Sequence, residues 1–151
     1  MPIKMYNALP DATLFGSVIL AFILDAVAPL MTVVPSPISL AGWVLVVVGF
    51  GFAVSILKTL RSKRTSTDAA VAPHWLWVDG PYALSRNPFY LCYVMIALGA
   101  ACALGSLAAF IAPVLCFLVL HYVVIPLEER VIQKKFGQQY EDYKRSVRRW
   151  I

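Results

Sequence analysis

From residue 38 to residue 57 the chain carries no charged side chain. The same holds for 89–105, and for 106–127 so long as His121 is neutral, while a fourth block, 14–34, contains Asp25 alone. A helix needs about 20 mostly apolar residues to cross a hydrocarbon layer of about 30 Å, and in lipid a helix satisfies its backbone polar groups internally. The expected fold is therefore all-α: a polytopic membrane protein with about four transmembrane helices. Of 151 residues 60% are hydrophobic and 14% charged, with a mean hydropathy of +0.75. Soluble domains are about half apolar and roughly a quarter charged, so this balance excludes them along with disordered tails and collagen-like rods.

The formal net charge is +5, and its cations are clustered. Lys58, Arg61, Lys63 and Arg64 follow the second block, and Lys134, Lys135, Lys144, Arg145, Arg148 and Arg149 follow the fourth; the short connections 34–38 and 105–106 have none. By the positive-inside rule both basic regions face the cytoplasm, and with an even number of spans both termini do too. Beside four spans, such clusters are read as topology signals and contacts to anionic headgroups rather than as a nucleic-acid surface. Cys92, Cys102 and Cys116 all lie inside expected spans with no CxxC pair, which makes them packing residues; no metal site is expected. The first block is longer than a signal-peptide core and is expected to stay in the membrane.

Residues 1–151 read as a single integral-membrane domain: two spans in 1–57, a cytoplasmic loop 58–88, a helical hairpin 89–127 and an interfacial segment 128–151. The first span, 14–34, is expected to break at Pro29 and to hold Asp25 near mid-membrane, where a carboxylate is costly and is read here as capping the backbone groups freed by the proline. Gly42, Gly49 and Gly51 in the second span permit close helix approach. Pro88 suits a helix start, and Gly105-Ser106 a tight turn. From Leu127 the apolar positions Val131, Ile132, Phe136, Tyr140, Tyr143, Val147 and Trp150 recur at helical spacing among charges, the mark of an amphipathic interfacial C-terminal helix, with Gly137 as the candidate point of division. Arg145, Arg148, Arg149 and Trp150 are read as a headgroup anchor, and His121 as a hydrogen-bonded packing residue.

Two polar islands carry the chemistry. The first runs from His74 to Tyr90, with a turn at Asp79-Gly-Pro, a cation at Arg86 and rings at 75, 77, 82, 89 and 90; the second begins with Glu128-Glu129. An antiparallel hairpin of spans three and four brings Tyr90 and Glu128 to one mouth. The pocket there would have rings for a flat group, carboxylates for amino or hydroxyl donors, and a helix N-terminus for a carboxylate. Taken alone, the rings also fit an interfacial aromatic belt, and Glu128-Glu129 fits a solvated helix start.

The ordered set Gly80-Pro-Tyr-x-x-x-Arg86-Asn-Pro-x-Tyr90, Glu128-Glu129, Phe136-Gly-x-x-Tyr140-x-x-Tyr143 and Val147-Arg-Arg-Trp150 resembles the isoprenylcysteine carboxyl methyltransferase family. That family is grouped with the membrane phospholipid methyltransferases. The resemblance covers about residues 72–151. It implies a multi-pass enzyme, expected in a bacterial inner membrane, that uses S-adenosyl-L-methionine without a soluble dinucleotide-binding fold, and the chain has no GxGxxG element after a strand-like run. It implies cofactor contacts from His74, Trp75, Leu76, Trp77, Tyr82, Asn87, Pro88, Tyr90 and Glu128. Arg86 is its motif cation, with a structural or carboxylate-pairing role, and Glu129 and Arg130 are further candidates for the substrate.

Two positions depart from the family pattern. Asn87 stands where the eukaryotic enzymes have histidine, and Val124 stands four residues before Glu128, where they place the arginine for the substrate carboxylate. The acceptor is thus expected to be a lipophilic or lipid-modified molecule whose reacting group stays open: a prenylcysteine-like carboxylate, a phospholipid or a small thiol. No general base is identified. The rival classes are a four-span transporter using Asp25 and a non-catalytic membrane interaction protein.

Overall fold

The computed structural model describes residues 3–28, 30–64 and 76–151, so the expected contacts of His74 and Trp75 and the break at Pro29 lie outside the described residues. Four apolar helical stretches run up and down, and a short helical hairpin closes one end. α1 spans Ile3–Val27, α2 Leu40–Arg64, the single turn α3 Pro81–Leu84 and α4 Pro88–Leu104. A 3-10 turn at Ala108–Phe110 leads into α5, Ile111–Val119; a π turn at Leu120–Val124 then joins α6, Ile125–Phe136, and α7 is Gln138–Ser146. The stretches 8–27, 40–61 and 108–136 are long and apolar enough to cross a membrane, whereas α4 has 17 residues, about 25 Å at 1.5 Å per residue.

The first span lies earlier in the chain than its hydropathy suggests. α1 ends at Val27, which puts Asp25 in its last turn rather than at mid-membrane. The carboxylate that falls inside α1 near its start is Asp11, which accepts a hydrogen bond from the Tyr93 hydroxyl of α4. At the opposite end, the connection after α1 pairs with the turn after α4. Val33 and Val34 donate to the Gly105 carbonyl, Leu107 donates to Met31, and Thr32 bridges Ser106. Gly105 has φ 79°, and a Cβ there would meet the Val34 oxygen at 2.5 Å, so this junction needs glycine for both conformation and space.

α4 is the central helix, packed on α1, α2 and α5. Its seam with α2 is backbone on backbone. A Cβ on Gly42 would meet the Ala103 amide nitrogen and, at 2.5 Å, the Gly99 oxygen, and one on Gly49 would meet Ile96 at 2.7 Å. Gly51, expected in the same role, has nothing within 4 Å of its Cβ position and points away from the seam. The π turn ends two residues before Pro126. A proline removes one backbone donor and crowds the carbonyl four residues earlier, and a single wide turn accommodates this while re-aiming the helix beyond it.

The C-terminal segment differs from one helix lying in the interface. Residues 125–136 prolong the fourth span's helix, which stops at Gly137 (φ 52°), and α7 then folds back. Residues 147–151 turn back against the bundle. Arg86 N–H donates to the Arg148 carbonyl, the Trp150 indole donates to His121 Nδ1 at 2.9 Å, and the Trp150 ring lies tilted against Phe117, centroids 4.9 Å apart. Trp150 and Arg149 are therefore tied into the protein, which corrects the headgroup-anchor expectation for these two; Arg145 and Arg148 are exposed. The reason is that partly buried partners, a histidine nitrogen and a carboxylate, compete with headgroups for them. His121 is hydrogen-bonded as expected.

Candidate active site

At the end of the bundle that holds α3, α6 and α7 lies a cavity of about 380 Å³, within the 300–1,000 Å³ usual for small-molecule sites. α4 begins at Pro88 because the ring presets φ and its missing N–H would be unpaired there anyway; this start aims Phe89 and Tyr90 into the cavity from one side. α6 presents Glu128, Glu129, Ile132 and Phe136 from another, and α7 roofs the space with Tyr140 and Tyr143. Leu76, Trp77, Tyr82, Arg86 and Asn87 come from the connecting segment, and Leu57 and Leu60 from the end of α2. The two polar islands are joined directly: the Tyr90 hydroxyl donates to Glu128 Oε1 at 2.5 Å, across 38 residues of sequence.

Beside this bond is a group of paired charges. Glu129, 17% exposed, accepts two hydrogen bonds from Arg149 (Nη2 to Oε2 at 2.6 Å, Nε to Oε1 at 3.2 Å), and Arg86 Nη1 lies 3.2 Å from Oε1. Forked pairs of this kind are the strong, geometrically specific ones. Arg86 is only 12% exposed, and its Nε is buried without a hydrogen-bond partner. Ser85 and Asn87 both donate to the Arg149 carbonyl, the amide of Asn87 at 2.9 Å. The tail thus locks the Arg86-Asn-Pro corner to α6, with Glu129 as the common anchor.

Of the expected site residues, Leu76, Trp77, Tyr82, Arg86, Asn87, Pro88, Tyr90, Glu128 and Glu129 line one cavity. Arg130 does not: it is exposed and lines a separate shallow groove between α6 and α7 with Lys134 and Lys144, because one residue past Glu129 turns the helix face by about 100°. Val124 is 2% exposed and packed with Leu14, Tyr90 and Tyr93. The arginine's position in the resemblance is here dry core one turn below Glu128. The lining also includes Leu57, Leu60 and Ile132, which the sequence did not single out for the site, and Phe89, Phe136, Tyr140 and Tyr143, which it placed in the two polar islands without a role in binding. The 4- and 3-residue spacing of the last three is the signal that places them on one face. Among the described residues, no group of three or more metal-ligating side chains exists.

Burial sets the electrostatics of the roof. The Tyr82 phenol is pushed up to about 12 by burial and then by the nearby Glu128 charge; Tyr140 and Tyr143 are raised to about 12, also by burial first. Tyr143 donates to the Tyr82 carbonyl at 2.6 Å, so ionising it would destroy the bond that holds α7 over the cavity. The unfolded phenols titrate near 10. Above that pH the unfolded chain has lost protons that the folded one keeps, so stability is intact below pH 10 and falls between about 10 and 12. Melting temperature in detergent, followed with phenolate absorbance, should show a coupled drop in that window, and Tyr143→Phe should reduce its size.

Residues 38–139 match the phospholipid methyltransferase family. An uncharacterized protein of Haemophilus influenzae is 36% identical over 62 residues, which are 41% of this chain and 98% of that protein. No solved structure matches. The match covers two thirds of the chain, including α2, α4, α5 and α6 and most of the cavity lining, which is largely apolar and aromatic with a few charged side chains. The chain belongs to the phospholipid methyltransferase family.

Proposed function

We propose that the chain transfers a methyl group from S-adenosyl-L-methionine to an amphiphilic acceptor that reaches the cavity from the bilayer. The observation that carries this reading is the Tyr90–Glu128 bond, which closes two distant stretches into one cavity of nucleoside size. The donor set suits the cofactor: Trp77 and Tyr82 offer rings to an adenine, Glu128 offers a carboxylate to hydroxyl or amino groups, and Arg86, with a buried unpartnered Nε, offers a cation to a carboxylate. When bound, the cofactor supplies a methyl group on a sulfonium, open to in-line attack by a nucleophile. The protein's work is then alignment and exclusion of water. Glu128 and Tyr90 fix one end, α7 covers the space, and orientation of this kind supplies about 7–11 kcal/mol in well-aligned systems. Charges in so dry a site are weakly screened.

The acceptor we favour is a phospholipid or another lipid-like molecule without a free carboxylate at the reacting end. Val124 leaves no cation one turn below Glu128, and the family match points the same way. A transporter reading loses its coupling carboxylate, since Asp25 lies in the last turn of α1. The clustering of Lys and Arg at the ends of the second and fourth spans supports a cavity that faces the cytoplasm.

The test is to incubate methyl-labelled S-adenosyl-L-methionine with the protein and native lipid extract in nanodiscs. Label should pass to an organic-extractable product, and S-adenosylhomocysteine should bind saturably. Absence of saturable S-adenosylhomocysteine binding would overturn the assignment.

A further inference from the structure

We propose that Asp11 is a positioning residue for the cavity wall: through Tyr93 it sets the rings of Phe89 and Tyr90, and through Tyr90 the carboxylate of Glu128. The inference rests on the methyltransferase reading above, and it concerns α1, which lies outside the matched residues 38–139.

Tyr93 does not line the cavity, but two residues that do rest on it. Its ring meets Phe89 edge-on at 5.2 Å and Tyr90 at 5.8 Å, each at 61°. These are i−4 and i−3 neighbours on α4, the spacing at which helical side chains touch. A ring in that place can rock about its side-chain torsions, and rocking would carry both lining rings with it. Tyr93 is tethered at its far end, however, where its hydroxyl donates to the Asp11 carboxylate. Leu14, one turn along α1 and 4% exposed, packs into the same core cluster as Tyr90 and Tyr93, so the tether and the packing fix the ring from two directions. Packing alone would be served by phenylalanine at position 93. Asp11 itself is exposed and is the fourth residue of a stretch long and apolar enough to cross a membrane (8–27), so the tether reaches Tyr93 from the surface of the bundle. Glu128 is the end of the chain of contacts, since it accepts from Tyr90 at 2.5 Å.

The experiment uses the full chain in nanodiscs, S-adenosylhomocysteine as the probe, and tyrosine carrying ¹³C at the ring carbon that bears the hydroxyl. Asp11→Ala and Tyr93→Phe are each expected to weaken binding about three- to tenfold, the range for losing one hydrogen bond. Asp11→Asn, which keeps an acceptor oxygen, should recover most of the loss. Combined with Glu128→Gln, Asp11→Ala should add less than its full loss in the wild-type background, because part of the effect passes through that carboxylate. In the ligand-free protein the Tyr90 resonance should move in Asp11→Ala and Tyr93→Phe and return toward its original position in Asp11→Asn. Unchanged affinity and an unchanged Tyr90 resonance in both disrupting variants would overturn the inference, as would losses that add fully to that of Glu128→Gln. If the wild type binds no S-adenosylhomocysteine, the methyltransferase reading fails; the resonance arm still decides whether Asp11 sets Tyr90.

Discussion

Glu128→Gln is expected to weaken S-adenosylhomocysteine binding roughly ten- to hundredfold while leaving the helical content and melting temperature of the protein nearly unchanged. A hydrogen bond to a charged group is worth about 1.5–3 kcal/mol, and each 1.4 kcal/mol is a factor of ten in affinity. Glutamine keeps the volume and can still accept from Tyr90, so the Tyr90–Glu128 connection survives in neutral form and only the charge presented to the ligand is lost. Folding should not suffer, since a buried carboxylate gives little net stability. Tyr90→Phe is the informative companion. It removes one donor and frees the Glu128 carboxyl group to swing, for an expected loss of about three- to tenfold. Isothermal titration in detergent checks both. Equal affinities for wild type and Glu128→Gln would remove Glu128 from the site and leave the cavity without its defining contact.

Why Tyr90 and Glu128 were legible from the chain alone, and Leu57 was not, has a physical answer. The first two are polar residues at the ends of apolar blocks, and a two-residue turn between those blocks leaves an antiparallel hairpin as the sole short closure, so their meeting follows from helix length and rise. Leu57 and Leu60 are apolar residues at the end of an apolar helix, where a lipid-facing and a cavity-facing side chain look the same in sequence. Hydropathy sets the depth of a span only coarsely: the apolar run to Val34 hid the fact that α1 stops at Val27 and that Asp11 is a carboxylate of α1 with a partner on α4. The tail was misread for a related reason. Arg149 and Trp150 have the composition of an interfacial anchor, and only the fold reveals that Glu129 and His121 wait for them. Glycines were half legible. Their presence in α2 announced a close seam, but only the helix phase distinguishes Gly42 and Gly49, which face α4, from Gly51, which does not.

That seam carries the largest expected effect on the protein itself. Gly42→Leu should prevent α2 from docking on α4, and even Gly42→Ala should destabilise by about 3 kcal/mol or more. The atoms a Cβ would strike are the Ala103 amide and the Gly99 oxygen, both backbone, and on the facing helix a Cβ at Gly99 would come within 2.7 Å of the Gly42 oxygen. Backbone cannot turn aside as a side chain does, so the axes must separate, and overpacking of rigid neighbours typically costs about 1–3 kcal/mol before any contact is lost elsewhere. Association of helices in lipid rests on such close packing, with no water-exclusion term to replace it. The damage would travel. The same seam passes through Gly49 against Ile96 and Ala53 with Ile56 against Cys92, and ends with Leu60 beside Tyr82 and Phe89 at the cavity. Parting the helices at one end therefore loosens the wall that Leu57 and Leu60 give to the site, and cofactor affinity should fall with stability. Gly51→Ala is the control: nothing lies within 4 Å of its Cβ position, and the gain in helix propensity is up to about 1 kcal/mol. Thermal unfolding in detergent with S-adenosylhomocysteine titration on each variant separates the cases. A Gly42→Ala protein as stable and as tightly binding as Gly51→Ala would mean that α2 and α4 do not meet through their backbones.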